Sequence, residues 1–301
     1  MSNKITIGSR GSKLAMIQSV FVANKIMEVN PGIDVEITRV VTSGDTNHHI
    51  PLAQQTGVGI FVKELEEALL DGRIDLAIHS LKDMPTELPE GLRLAATPER
   101  VNPADILISR GKKLKYLSTG SKIGTGSLRR AAQLTHYRPD FKIVSIRGNV
   151  DTRINKVTTG DVDAVVLAAA AMKRLGWEDK ITEYLPTEHF LPAIGQGALA
   201  IETCSEEITR IVAPLNHLPT MQCITAERVF LRTLGGGCQA PIAALATVHG
   251  ARLKLKGMIA NTHSSEMLTG TEEGSATAPE ELGIALAEKL LAAGADKFLA
   301  E

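Results

Sequence analysis

Two short segments of this 301-residue chain carry side chains suited to chemistry. The first is Leu234-Gly235-Gly236-Gly237-Cys238-Gln239-Ala240-Pro241. Three consecutive glycines clear every side chain from the approach to the sulfur and open backbone conformations that other residues avoid. A core cysteine would sit among apolar neighbours as a small hydrophobe; the segment reads as either an accessible thiol or a flexible turn. The second is His79-Ser80-Leu81-Lys82-Asp83-Met84-Pro85. It follows a short apolar strand predicted over residues 74–78, at the strand end where α/β folds place ligands. Asp83 either closes a turn or stabilises a cationic intermediate and handles protons.

Basic residues gather at strand-to-helix turns. Gly8-Ser9-Arg10-Gly11-Ser12 sets an arginine and a hydroxyl at one; Gly124-Thr125-Gly126-Ser127-Leu128-Arg129-Arg130 does so at another. Helix N-termini carry free N–H groups and partial positive charge, so anions settle there. Ser12 and Ser127 also read as ordinary N-caps. Capping leaves the adjacent arginines unexplained, because the dipole disfavours cations in the first turn; an anion is expected at both places. Arg147, Arg153 and Arg174 follow later strands, and guanidinium groups grip carboxylates in two-pronged fashion. Together they imply a cleft for a ligand with several negative groups. Neither G-x-x-x-x-G-K-[ST] nor G-x-G-x-x-G occurs, so a nucleotide is not indicated.

Composition narrows the classes. Aromatic content is 3% and net charge −1, which argues against nucleic acid and against an anionic membrane as partners. The three cysteines, Cys204, Cys223 and Cys238, form no C-x-x-C pair, so neither a zinc knuckle nor a disulfide framework is expected. His48 and His49 have no ligand-like spacing to other residues and read as solvated; no metal is expected. The N-terminal residues lack the apolar core of a secretory signal, and the longest apolar run, 164–172, is too short to span a bilayer. A reducing cytoplasm is the expected location.

The elements that must position these groups alternate between strand and helix, the α/β signature. Ile5-Thr6-Ile7 reads as a strand entering a helix with Leu14, Ile17 and Phe21 as its buried stripe, stopped by Asn30-Pro31-Gly32. A strand at 33–37, a glycine-spotted loop at 54–59, a helix at 61–70 and the strand at 74–78 follow. The order recurs: 123–127 again passes from strand to helix, Pro139 precedes a strand through 146, and Gly160-Asp161-Val162-Asp163 leads a strand as Gly72-Arg73-Ile74-Asp75 does. This is a degenerate internal duplication, two similar lobes with a cleft between them. The tail differs: a helix over 219–234, the glycine-cysteine loop, strands at 242–248 and 252–259, and a closing helix over 279–299 with Leu282, Leu286, Leu290 and Leu291 on one side.

Seven motifs in order carry a resemblance: Arg10-x-Ser12-x-Leu14-Ala15, Phe61-x-Lys63-Glu64-Leu65-Glu66, His79-Ser80-x-Lys82-Asp83-x-Pro85, Gly124-Thr125-x-Ser127-Leu128-Arg129-Arg130, Arg147-Gly148-Asn149-Val150, Leu191-Pro192-Ala193-x-Gly195-Gln196-Gly197-Ala198 and Gly236-Gly237-Cys238-Gln239. The chain resembles the hydroxymethylbilane synthase (porphobilinogen deaminase) family. The resemblance implies two lobes similar to those of periplasmic binding proteins, with a cleft, plus a smaller C-terminal α+β domain. It implies domain 1 at 1–98 with 198–216, domain 2 at 103–193, and domain 3 at 219–301. The implied reaction condenses four porphobilinogen molecules head to tail, releasing ammonia, then frees hydroxymethylbilane by hydrolysis for tetrapyrrole synthesis.

On that resemblance Cys238 carries a covalent dipyrromethane cofactor. Arg129, Arg130, Ser127, Thr125, Lys82, Ser80 and Asn149 bind it, while Arg10, Ser12, Arg147, Arg153, Arg174 and Gln196 serve the substrate. Asp83 is the catalytic aspartate, acting as an electron-poor azafulvene forms on ammonia loss and is attacked by a pyrrole carbon. The loop 52–60 lacks the lysines that relatives often carry. The family suggests a monomer. Two other functions fit the same residues: a two-lobed binder of small anions with an incidental Cys238, and a cysteine acyl-transfer enzyme. The latter needs a base within hydrogen-bond reach, and only His249 lies close in sequence.

Overall fold

The computed structural model describes residues 4–42, 62–235, 240–261 and 266–298. Cys238, His48, His49 and the loop 52–60 lie outside the described residues. The chain divides into two compact units, Met1–Val101 with Ala198–Met221, and Asn102–Gly197 with Gln222–Glu301.

In the first unit, β1 (Lys4–Ser9) leads into α1 (Lys13–Val29), then β2 (Asp34–Arg39), α2 (Lys63–Leu70), β3 (Leu76–Ser80) and β4 (Arg93–Ala96). After the whole second sheet the chain supplies β10 (Leu199–Thr203) and α6 (Glu206–Val212). The sheet order is β2-β1-β3-β10-β4. β1 is parallel to β2 and β3, whereas β10 runs antiparallel between β3 and β4. The buried face of α1 is Ala15, Gln18, Ser19, Val22, Ala23 and Ile26, a 3.6-residue stripe. It is displaced from the one expected at Leu14, Ile17 and Phe21, and Phe21 is 45% exposed. The small Ala15, Ser19 and Ala23 let the helix lie close on the sheet, where a run of bulky residues would hold it off.

The second unit repeats the plan. β5 (Asp105–Ser109), β6 (Lys122–Gly124), α3 (Leu128–Tyr137), β7 (Lys142–Val144), α4 (Val150–Thr158), β8 (Ala164–Ala168), α5 (Ala169–Leu175) and β9 (Glu183–Tyr184) give the order β7-β6-β8-β5-β9. Again three adjacent strands are parallel and the fourth, β5, is antiparallel. The duplication read in the sequence is therefore one of topology: β6, β7 and β8 occupy the places of β1, β2 and β3, and β5 that of β10.

The same unit holds the C-terminal elements. α7 (Leu218–Thr233) precedes an antiparallel sheet of β11 (Ile242–His249), β12 (Arg252–Ala260) and β13 (Met267–Ser275), over which α8 (Pro279–Ala292) packs. A β-carbon on Gly270 would stand 2.9 Å from Leu286 and 3.1 Å from Leu290, so this strand omits side chains where the leucines of α8 press on it. α8 ends at Ala292, short of the expected 299. Gly294, at φ +95°, turns the chain into a 3-10 turn over Ala295–Phe298. Among the described residues, no helix is long and apolar enough to cross a membrane, and no cluster of three or more His, Cys, Asp or Glu is arranged to hold a metal.

Candidate active site

In the first unit the chemistry sits where parallel strands end. Ser12 caps α1, its hydroxyl accepting the Ala15 N–H at 3.2 Å, and the half-buried Arg10 lies in the turn before it. β3 ends next door, since Gly8 pairs with Ala77. The Gln18 amide of α1 donates to the Ser80 hydroxyl at 2.9 Å, tying helix to strand end.

Beyond Ser80 a single 3-10 turn, Leu81–Asp83, presents the carboxylate. Leu81 and Met84 are 2% and 3% exposed, whereas Asp83 is exposed and Lys82 half-buried. The Leu81 N–H donates to the Ala198 carbonyl at 3.1 Å, and the Met84 N–H returns to the Leu81 carbonyl. Two apolar side chains thus plug the turn into the core and leave its two charged ones facing out. Arg39, at the end of β2, was not singled out in the sequence; it lies so close to Gly11 that a β-carbon there would collide with its guanidinium. Its position at the end of an alternating strand was the available signal.

The second unit uses the same strand ends. Ser127 caps α3, accepting from the Arg130 N–H at 3.4 Å. Thr125 is buried, its N–H donating to the Val144 carbonyl and its hydroxyl accepting from the Ser127 N–H at 3.2 Å. Gly126 is required for space: a β-carbon would stand 2.7 Å from the Ile146 carbonyl oxygen.

Arg129 and Arg130 are only 4% and 7% exposed. The anion expected beside them is supplied by the chain itself, at Asp105, the first residue of β5. Arg129 Nη1 donates to its Oδ2 at 2.8 Å and to the Leu191 carbonyl. Arg130 Nε and Nη2 donate to its Oδ1 at 3.1 and 2.7 Å. Gln196 Nε2 adds a further bond to Oδ1 at 2.8 Å and another to the Pro103 carbonyl at 2.7 Å. Burial alone would raise the Asp105 carboxyl, but the two guanidiniums hold it well below the usual carboxylate range. Burial pushes Arg129 down, and the neighbouring cation Arg130 adds to that. Two cations share one carboxylate, which leaves one positive charge in excess in a buried place.

Arg147 follows buried Ile146 and is half-buried. Gly148, at φ +100°, turns the chain so that exposed Asn149 starts α4, and Arg153 Nε donates back to the Gly148 carbonyl at 2.8 Å. Arg174, on the helix after β8, donates to the Gly197 carbonyl at 2.8 Å. Burial pushes its guanidinium down to about 10. Gly195, one residue before Gln196, donates its N–H to the buried Glu227 carboxylate at 2.7 Å; Glu227 also accepts from Ala246 at 2.9 Å. That carboxylate fixes the segment carrying Gln196 against α7 and β11. His249, the base named for the acyl-transfer alternative, is the exposed last residue of β11, with the strand between it and Pro241.

The domain described as "Porphobilinogen deaminase, dipyromethane cofactor binding domain" matches residues 5–211, and "Porphobilinogen deaminase, C-terminal domain" matches residues 221–292. The porphobilinogen deaminase of Geotalea daltonii is 50% identical over 300 residues, 99% of this chain and 94% of that protein. The one from Geobacter sulfurreducens is 48% identical over 301 residues, 99% of this chain and 95% of that protein. A solved VFT2 domain of BvgS from Bordetella pertussis aligns at 17% identity and a TM-score of 0.42, covering 71% of this chain and 86% of that one.

Proposed function

The chain belongs to the porphobilinogen deaminase family, and from that membership we propose the roles of its individual residues. As a member it is a transferase of tetrapyrrole synthesis that works with a dipyrromethane cofactor, condensing porphobilinogen with loss of ammonia to give hydroxymethylbilane. The accompanying reading is a cytoplasmic monomer with three domains, at 1–98 with 198–216, at 103–193 and at 219–301. Cys238 is the residue that carries the cofactor through a thioether.

One observation carries the site assignment. Ser80 ends β3, Arg10, Ser12, Lys82 and Asp83 follow β1 and β3, Thr125, Ser127, Arg129, Arg130, Arg147, Asn149 and Arg153 follow β6 and β7, and Arg174 lies in the last turn of the helix after β8. In each sheet these strands are parallel neighbours, so all of these residues but Arg174 collect at C-terminal strand ends, the ligand edge of α/β sheets.

The donor set suits the group. Dipyrromethane and porphobilinogen both bear acetate and propionate side chains, and the second unit offers an excess buried cation beside Asp105 and a guanidinium at Arg174 offset by burial alone. When bound, dipyrromethane supplies the free pyrrole carbon at which the product is extended. Arg129, Arg130, Ser127, Thr125, Lys82, Ser80 and Asn149 hold its carboxylates; Arg10, Ser12, Arg147, Arg153 and Arg174 hold those of the substrate, and Gln196 orients the arginine pair. Asp83 stabilises positive charge as ammonia leaves porphobilinogen and takes up the proton released on carbon–carbon bond formation. The apolar plugs Leu81 and Met84 hold its turn steady.

The mass of the purified full-length chain tests the cofactor assignment. The unsubstituted protein is expected to exceed its calculated mass by one dipyrromethane, and Cys238→Ser to match its own calculated mass. A folded, unmodified chain from cells that make the cofactor would overturn it. Asp83→Asn is expected to keep the adduct while ammonia release falls by about 10²–10⁴-fold; near-normal release would remove Asp83 from the mechanism.

A further inference from the structure

Glu66 on α2, His79 on β3 and Glu202 on β10 form a buried ionisable cluster that the roles above leave unused. The His79 and Glu202 side chains are 3% and 0% exposed, and Glu66 as a residue is 8% exposed. Pairing of Ala200 with His79 and of Glu202 with Ala77 puts His79 and Glu202 on one face of the sheet as diagonal neighbours. His79 Nε2 stands 3.0 Å from Glu202 Oε2, without the alignment of a hydrogen bond. Both Glu202 oxygens, Glu66 Oε1 and His79 Nε2 are buried without a hydrogen-bond partner among the described residues.

Such a cluster is expensive. Buried polar groups left without hydrogen-bond partners cost free energy that apolar residues of similar volume would not. Its place in the chain gives it a use: His79 immediately precedes Ser80 and lies four residues before Asp83, in the strand that ends in the catalytic turn. We propose that Glu66, His79 and Glu202 act as positioning residues, locking the end of β3 so that the Ser80–Asp83 turn is held in its productive orientation. The proposal deepens the role given to Asp83 above and rests on it.

Burial, reinforced by the Glu202 charge, raises the Glu66 carboxyl, while His79 opposes this. A protonated Glu66 brings an O–H donor and the His79 ring an N–H donor to a site whose acceptors are the two Glu202 oxygens. α1, the other helix tied to β3, brings the uncharged Gln18 and Ser19, with its Lys13, Lys25 and Glu28 exposed. β1 carries its charged Lys4 exposed at the opposite end.

The test uses full-length holoenzyme with Glu202→Gln and Glu66→Gln, each alone and each combined with Asp83→Asn, scoring adduct mass, kcat and KM. Misplacing a catalytic group by about 1 Å costs up to about 10²-fold. Each single variant is therefore expected to keep the adduct, lose about tenfold or more in kcat, and hold KM within about twofold. Combined with Asp83→Asn, neither is expected to lower kcat further, because both act through that carboxylate. Folded single variants with unchanged kcat, or losses that multiply in the Asp83→Asn background, would overturn the proposal. So would failure of both single variants to fold, since the cluster would then serve the sheet itself. Near-normal activity in Asp83→Asn alone is a separate outcome: it removes the role of Asp83 and with it the lock's object.

Discussion

Asp105 and Arg130 meet through two guanidinium nitrogens on a single carboxylate oxygen, at 2.7 and 3.1 Å, with Arg129 on the other oxygen. All three side chains are at most 8% exposed. An ordinary surface ion pair contributes little; this one sits where a lost partner leaves bare charge in the interior. Asp105→Asn keeps the shape and strands two cations. We expect it to destabilise the second unit by about 3–5 kcal/mol, read from the midpoint of chemical denaturation with the slope unchanged.

The same carboxylate sets an acid limit. The guanidiniums hold its folded-state value below that of an unfolded aspartate, near about 4. A group depressed in this way contributes stability that is fully present above the unfolded value and drains away as pH falls toward the folded one. Melting temperature should therefore fall as pH is lowered below about 4. Asp105→Asn should start lower and lack this component, so the two melting curves converge in acid; parallel curves would exclude Asp105 as a source of the acid loss.

Arg174 presents the opposite balance. Its bond to the Gly197 carbonyl is all that the described contacts set against burial, which lowers the guanidinium to about 10. Arg174→Leu should leave the melting midpoint close to that of the parent, because relief from burial offsets the lost bond. KM for porphobilinogen should rise by about tenfold or more, as expected when a charge-assisted hydrogen bond of about 1.5–3 kcal/mol is removed.

How much of this was legible in the sequence depended on distance along the chain. Ser12 and Ser127 announced helix starts because capping is decided within three residues. The repeated strand-turn-helix order gave away the duplication for the same reason. Asp105 did not announce itself, since it lies 24 residues from Arg129 and only the folded sheet brings them together. Glu202 was hidden likewise, its strand entering the first sheet from beyond the second. β13 was missed because Met-Leu-Thr-Gly-Thr-Glu-Glu-Gly-Ser shows no apolar alternation; its inner face makes room with Gly270 for leucines that α8 provides. The stripe of α1 was placed one step off because Leu14, Ile17 and Phe21 outweigh alanine and serine on any hydrophobicity scale, whereas the sheet selected for close approach.

The insertion of β10 between β3 and β4 bears on how the protein is made. A ribosome delivers the chain from its N-terminus, and domains generally fold as they emerge. The first sheet lacks an interior strand until residues 199–203 are out, whereas the second draws all five of its strands from residues 105–184. The later half can thus close while the earlier half still waits with two unsealed strand edges. A nascent chain halted just short of residue 198 should carry a protease-resistant core from its second sheet and a cleavable N-terminal portion.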